Sequence, residues 1–230
     1  MIDPIHYGFS DSIIRYHELA RRHPDVDIMM GIGNLTELTH ADTLGINMMI
    51  AGIASELGVT GLLTTEVSGH CRTAVRELNQ IRRVLYAARE DHTPPRHLDE
   101  SLMALHDRHP YPYDTDEIAA LAAQVKDDNF RIQTSDDTVH IYNRRGHSTG
   151  LDPYDLFPSL GVEDDGAHAF YLGMELERAR IAATLGKRYV QDETLDWGVT
   201  VPKAMDDKRF FAEERTTLKA RRQRKKKKPS

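Results

Sequence analysis

Three short apolar runs, each broken by glycine, proline or threonine and each followed by a stretch of helical periodicity, constrain residues 1 to 90 more than any other feature of the chain. The first is a strand end at Ile2, closed by Asp3-Pro4. The second is Asp27-Ile28-Met29-Met30-Gly31-Ile32-Gly33. The third is Gly61-Leu62-Leu63-Thr64-Thr65, entered from Gly58, which suits the left-handed end of a helix. Between and after them the spacing predicts helices over 11 to 22, from about Asp42 to Leu57, and over 70 to 89. In the last, Ala74, Val75, Leu78, Ile81, Val84, Leu85 and Ala88 form one apolar stripe opposite a face of arginines. His23-Pro24 stops the first helix. Apolar strands about thirty residues apart, separated by single amphipathic helices, argue for an α/β fold with a parallel sheet and helices outside it. In such sheets the loops after the strands' C-terminal ends hold the site. Here those loops are Asp3 to Ser10, Gly31 to Thr39 and Thr64 to Ser68, the densest concentration of Gly, Asn, Thr and Glu in the chain.

Residues 91 to 98, with Pro94-Pro95, form a breaker-rich linker. A second, α+β unit is expected over 99 to 204: a helix around 115 to 126, strands near 129 to 133 and 138 to 142, a turn at Asn143-Arg144-Arg145-Gly146, and a long helix from about Asp165 to Leu185 stopped by Gly186. The remainder, 205 to 230, reads as a charged, disordered tail.

The formal net charge is −6, yet Lys219, Arg221, Arg222, Arg224 and Lys225 to Lys228 put eight positive charges into the final dozen residues. The rest of the chain is therefore strongly acidic, which argues against a nucleic-acid-binding domain proper. The tail either contacts polyanions non-specifically through phosphate neutralisation or is a solvated extension. No run of eighteen apolar residues and no secretory leader occurs, so no membrane association or export is expected. With one cysteine, Cys71, no intramolecular disulfide can form, and the expected compartment is the cytoplasm. Cys71 reads as an inert, half-buried thiol.

Taken alone, Asp3 is a turn or cap residue, Phe9 is ordinary core, and Asn34, Thr36, Thr39, Thr65 and Ser68 are as well suited to capping the helices that follow them as to touching a ligand. No histidine pair has the spacing of a known metal site with a carboxylate partner. His168, near Asp164, Asp165 and Glu175, comes nearest, and reads as a structural histidine. Gly31-Ile32-Gly33 lacks the third glycine of a dinucleotide signature, and no phosphate-cradling P-loop occurs.

The whole pattern, Asp-Pro-x-x-x-Gly-Phe, helix, apolar strand ending in glycine, helix, last strand and helix, resembles the final three βα units of the dihydropteroate synthase barrel. Met29 to Thr39 and Leu63 to Ser68 more closely resemble the dihydropteroate-synthase-related proteins of tetrahydromethanopterin-using microbes. His168 to Gly173 and Tyr189 to Asp192 resemble the extra C-terminal domain of the same proteins. The resemblance implies a TIM-type (β/α)8 pterin-binding barrel of which this chain supplies the end of the sixth strand and all of the seventh and eighth. An N-terminal barrel segment, or a homo-oligomer, would have to complete it. It further implies a transferase joining a dihydropterin diphosphate to an arylamine in folate or tetrahydromethanopterin biosynthesis. Asp3 would accept from the pterin's amino group and ring N–H, Phe9 would lie near the arylamine, and Asn34, Thr36, Glu37, Thr65, Glu66 and Ser68 would line the rest. No resident cofactor is implied, though Mg2+ could accompany a diphosphate, held by Glu37 or Glu66. Two departures bear on catalysis. Where the synthases carry Ser-Arg-Lys this chain has Gly33-Asn34-Leu35, and where they carry Arg-Val-His it has Thr64-Thr65-Glu66. The alternatives to this leading reading are a non-catalytic pterin-binding protein serving one-carbon metabolism, or an assembly module.

Overall fold

The opening residues lie against the second apolar run: the Ile2 amide donates to the Gly31 carbonyl at 2.8 Å. The fold is a computed structural model in which residues 1 to 202 are described. The basic stretch 205 to 230, and the last residues of the expected second unit, lie outside them.

Helix α1 (Phe9–Arg22) leads to strand β1 (Met29–Gly31), a short helix α2 (Gly33–Glu37), helix α3 (Thr43–Glu56), strand β2 (Gly61–Leu63) and helix α4 (Ala74–Glu90). Strands β1 and β2 pair in parallel, with Met30 opposite Leu62. Alternation along a parallel ladder sends the Gly31 carbonyl to the side away from β2. That is where Ile2 binds, so β1 is central and residues 1 to 3 and β2 flank it. Ile2, Met30 and Ile32 are fully buried, and the inner faces of α3 and α4 close over them through Ile50, Ala54 and Ile81. Burial is one-sided at the strand ends, where Met29 and Leu63 are exposed, so the apolar runs extend beyond the buried positions.

Residues 91 to 100 are exposed. The chain then packs back: Leu102 joins the first core, and the Asp107 amide donates to the Gly186 carbonyl at 2.9 Å. Helix α5 (Thr115–Ala122) opens with a reciprocal capping box between Asp114 and Glu117. Strands β3 (Arg131–Ser135), β4 (Thr138–Asn143) and β5 (Gly146–Gly150) form an antiparallel meander, followed by α6 (Pro153–Leu156) and α7 (Gly166–Leu185). Helix α7 lies on the sheet face bearing Ile132, Val139 and Ile141, burying Leu172, Leu176 and Ala179 in a second core. Gly186 ends α7 at φ 58°, the left-handed geometry that favours glycine.

The architecture is therefore mixed α/β, with a small parallel sheet and a separate antiparallel one, and residues Met1 to Thr200 form one compact unit. Lys187 helps to bind its parts together. It is fully buried, donates to the Ala104 carbonyl at 3.1 Å and lies over the Trp197 ring at 5.2 Å.

Candidate functional site

The opening segment and the two loops that leave the parallel strands are joined by side-chain hydrogen bonds at one rim of the sheet. The first bends at Gly8, whose φ of 103° and close approach to Asp3 (an added Cβ would lie 3.1 Å from Oδ2) both demand glycine. This bend sets the start of α1 against Asp3. The buried Ser12 accepts from the Asp3 amide at 2.9 Å and donates to Asp3 Oδ2 at 2.8 Å, and the Arg15 guanidinium donates to the same oxygen. The Arg15 hydrogen bond, followed by that of Ser12, holds the Asp3 carboxyl below the ordinary carboxylate range. Phe9 opens α1 and packs against the first core.

The loop after β1, read from sequence as irregular, folds into the single turn of α2. Asn34 turns back from it and donates to the Ile2 carbonyl at 3.0 Å, tying the second loop to the first. Thr36 is fully buried and spends its hydroxyl on the Gly33 carbonyl at 3.2 Å. Gly33 meets the third loop so closely that an added Cβ would lie 2.9 Å from Thr65 Oγ1.

Glu37 is the centre of the rim. Its Oε1 accepts from the Thr65 hydroxyl at 2.9 Å and the Val67 amide at 2.8 Å, and its Oε2 accepts from the Ser68 amide at 2.8 Å. The Ser68 hydroxyl first and the Val67 amide next, followed by the Ser68 amide and the Thr65 hydroxyl, pull its carboxyl down to about 2. Glu66 points elsewhere: Oε1 accepts from the Val75 amide at 2.9 Å, in the first turn of α4, where a carboxylate also suits the helix dipole.

The structure thus brings Asp3, Asn34, Glu37, Thr65 and Ser68 together, while Phe9 and Thr36 point into packed interior and Glu66 caps a helix. It adds His70, which sequence reasoning passed over. His70 Nε2 lies 3.0 Å from the Thr36 carbonyl, which requires that nitrogen to carry the proton, and His40 meets its ring edge-on at 5.7 Å. No spacing rule links positions 40 and 70, so only the folded rim reveals the pair. Cys71 beside them is buried, and desolvation followed by the Glu37 charge pushes its thiol up, away from reactivity.

Chemically, the rim offers two separately bonded carboxylates, Asp3 and Glu37, and a fringe of hydroxyl and amide groups. Arg15 is the cation recorded on these carboxylates, and it is already paired with Asp3. Among the described residues no group of three or more His, Cys, Asp or Glu side chains is arranged to hold a metal. Nor is any described helix long and apolar enough to cross a membrane.

The chain is similar to an uncharacterised protein of Methanocaldococcus jannaschii, with 28% identity over 215 residues covering 84% of this chain and 41% of the relative. It therefore spans about two fifths of the length of the curated relative it matches. No family model and no solved structure matches it.

Proposed function

We propose that the chain is the C-terminal part of a dihydropteroate-synthase-like, pterin-binding protein whose barrel is completed by further strands. The observation that carries this reading is the convergence of the opening segment with the two post-strand loops, with Asp3 just after Ile2 where that segment bonds to the edge of β1 and Asn34 bridging back to it. A carboxylate at that position fits the adjacent amino and ring N–H donors of a pterin, one per oxygen. Both side-chain donors to Asp3 use Oδ2, and Arg15 is well exposed, so a ligand can compete for this carboxylate at small cost. The outer edge of β2 supports the fragment reading. A half-open groove of about 520 Å³ runs along it between α3 and α4, lined by Leu62, Leu63, Val75, Leu78 and Tyr86, where a further strand and its helix would add. The parent protein would be a cytoplasmic transferase condensing a dihydropterin diphosphate with an arylamine in folate or tetrahydromethanopterin biosynthesis, and this chain alone would be inactive.

The commitment of Glu37 to its own loop favours a second reading. With the cations of the synthases replaced by Asn34, Leu35, Thr64 and Glu66, and Glu37 satisfied by three internal donors, the rim has little to stabilise a departing diphosphate. Mg2+ arriving with that diphosphate would find Glu66, exposed but bonded to Val75, as its protein ligand. A non-catalytic pterin carrier needs none of this.

Calorimetry with a dihydropterin separates the readings. Binding is expected when the chain is combined with the segment that supplies the missing strands, and Asp3→Ala should weaken it at least tenfold. Tight binding by the chain alone overturns the fragment reading, and no binding by the combination overturns the pterin assignment. Product formation from the diphosphate and an arylamine then distinguishes transferase from carrier.

A further inference from the structure

Strand β2 ends the described parallel sheet with a free main-chain edge. The Gly61 amide donates to the Ile28 carbonyl at 3.2 Å and the Leu63 carbonyl accepts from the Ile32 amide at 2.8 Å, so residues 61 and 63 turn towards β1. Alternation along a parallel ladder then sends the Leu62 N–H and C=O to the other side. Among the described residues neither group has a partner there. Two residues on, Thr64 Oγ1 is buried in the groove along this edge and is also without a partner. Another polypeptide backbone supplies donors and acceptors at the spacing of such an edge, whereas a cover of apolar side chains would strand them.

The groove is also charged. Ala51, Ala54, Leu78 and Leu85 give it an apolar floor, and no carboxylate of the described residues lines it. Arg82 and Arg89, two turns apart on α4, stand exposed at its wall. Arg82 spends its Nε on the neutral side-chain oxygen of Asn79 at 3.0 Å. Arg89 lies over the Tyr86 ring at 5.6 Å, and the carboxylate recorded beside it is that of its neighbour Glu90, at 3.8 Å. An exposed pair at that distance contributes little, so both guanidiniums are open to an anionic partner.

We infer that β2 and this groove receive one acidic, extended segment: a strand that bonds to Leu62, buries apolar side chains over Ala54 and Leu78, and presents carboxylates to Arg82 and Arg89. At 1.5 Å rise per residue the two arginines lie roughly 10 Å apart along α4, which sets the spacing of those carboxylates. The chain spans 41% of its Methanocaldococcus jannaschii relative, and the segment belongs to polypeptide corresponding to the part it does not span. This rests on the fragment reading above and adds to it the chemistry of the joining strand.

Hydrogen exchange and titration calorimetry on the full chain test it, with the uncovered part of that relative, made as a separate polypeptide, as the ligand. Binding should slow exchange at the Leu62 amide at least tenfold, a readout that needs no substitution. Arg82→Glu combined with Arg89→Glu should weaken the complex at least tenfold, while Arg82→Lys with Arg89→Lys should retain most of it. No complex, a complex that leaves Leu62 exchange unchanged, or one indifferent to the charge reversal overturns the inference. Dihydropterin binding is measured on the same mixture. Dihydropterin bound with Leu62 unprotected leaves the fragment reading standing and removes this strand; Leu62 protected with no dihydropterin bound upholds the strand and removes the pterin.

Discussion

The side-chain amide of Asn47 donates to Glu77 Oε2 at 3.0 Å across the contact between α3 and α4, and both residues are buried. Thr43 donates to the same oxygen at 2.7 Å and Thr73 to Oε1 at 2.7 Å, so one carboxylate holds three donors. Burying a charge is costly unless its hydrogen bonds are made, and removing it strands every donor. Glu77→Ala should therefore destabilise the chain by about 3 kcal/mol, more than an exposed salt-bridge deletion, which is worth about 1 kcal/mol or less. Urea unfolding of the two proteins measures the difference. A loss within that smaller range would mean that apolar packing alone fixes the two helices.

Glu37 makes the rim sensitive to acid. Its folded carboxyl is depressed to about 2 against an ordinary value of 4.5. Its contribution is therefore complete above pH 4.5 and is lost as pH falls from there toward 2, because the unfolded chain binds the proton first. Glu37→Gln should flatten that part of the stability curve and speed amide exchange at Val67 and Ser68, whose N–H groups it holds. Unchanged exchange at both amides would show that the third loop is held by other contacts.

Strands β1 and β2, helix α4 and two helix ends were legible because each obeys a single local rule: short apolar runs for the strands, a 3.6-residue stripe for α4, and Gly58 and Gly186 as helix ends. The convergence of Asp3, Asn34 and Thr65 was legible only as a consequence of parallel topology. What escaped was the partner of each polar group. Ser12 carries no signal of its own in the sequence, and only the Gly8 turn places it against Asp3. Glu37 and Glu66, both read as ligand groups, differ in the structure because one faces the main-chain amides of the third loop and the other a helix start. Segment 99 to 113 escaped for another reason: its order comes from Lys187 and Gly186, some eighty residues on, and no periodicity signals such contacts.

Gly186 offers a clean backbone test. At φ 58° with open space around its Cα, alanine there meets no clash and suffers only the left-handed backbone penalty. Gly186→Ala should cost about 1 kcal/mol in thermal or urea unfolding with the fold intact. Gly173→Ala, in ordinary helical geometry with open space at its Cβ, should move stability the other way by a similar amount.

A second acid response comes from the meander. His140 is fully buried on β4. Its Nε2 lies 2.8 Å from Ser135 Oγ and its Nδ1 3.1 Å from His147 Nε2 on β5, so one ring donates to the other only while one facing nitrogen is unprotonated. Around them stand Ser135 on β3, Tyr142 edge-on to His147 at 5.6 Å, and Asp136 in the β3–β4 turn, whose carboxylate is engaged by Thr115 at 3.1 Å. Desolvation, then the neighbouring ring, lowers the titration of His140, with Asp136 opposing weakly. Desolvation alone lowers that of His147. Both are therefore neutral in the fold, and the unfolded chain takes up protons first as pH falls below 6.5. Stability should be flat above pH 7 and decline below 6.5, with a slope of at most about 1.4 kcal/mol per pH unit for each histidine. This window is well separated from that of Glu37. His147→Phe removes one titrating group and the inter-ring repulsion while keeping a ring against Tyr142, so it should shallow the decline between pH 6.5 and 5 without altering the lower transition. An identical slope in the variant would assign the response to histidines elsewhere in the chain.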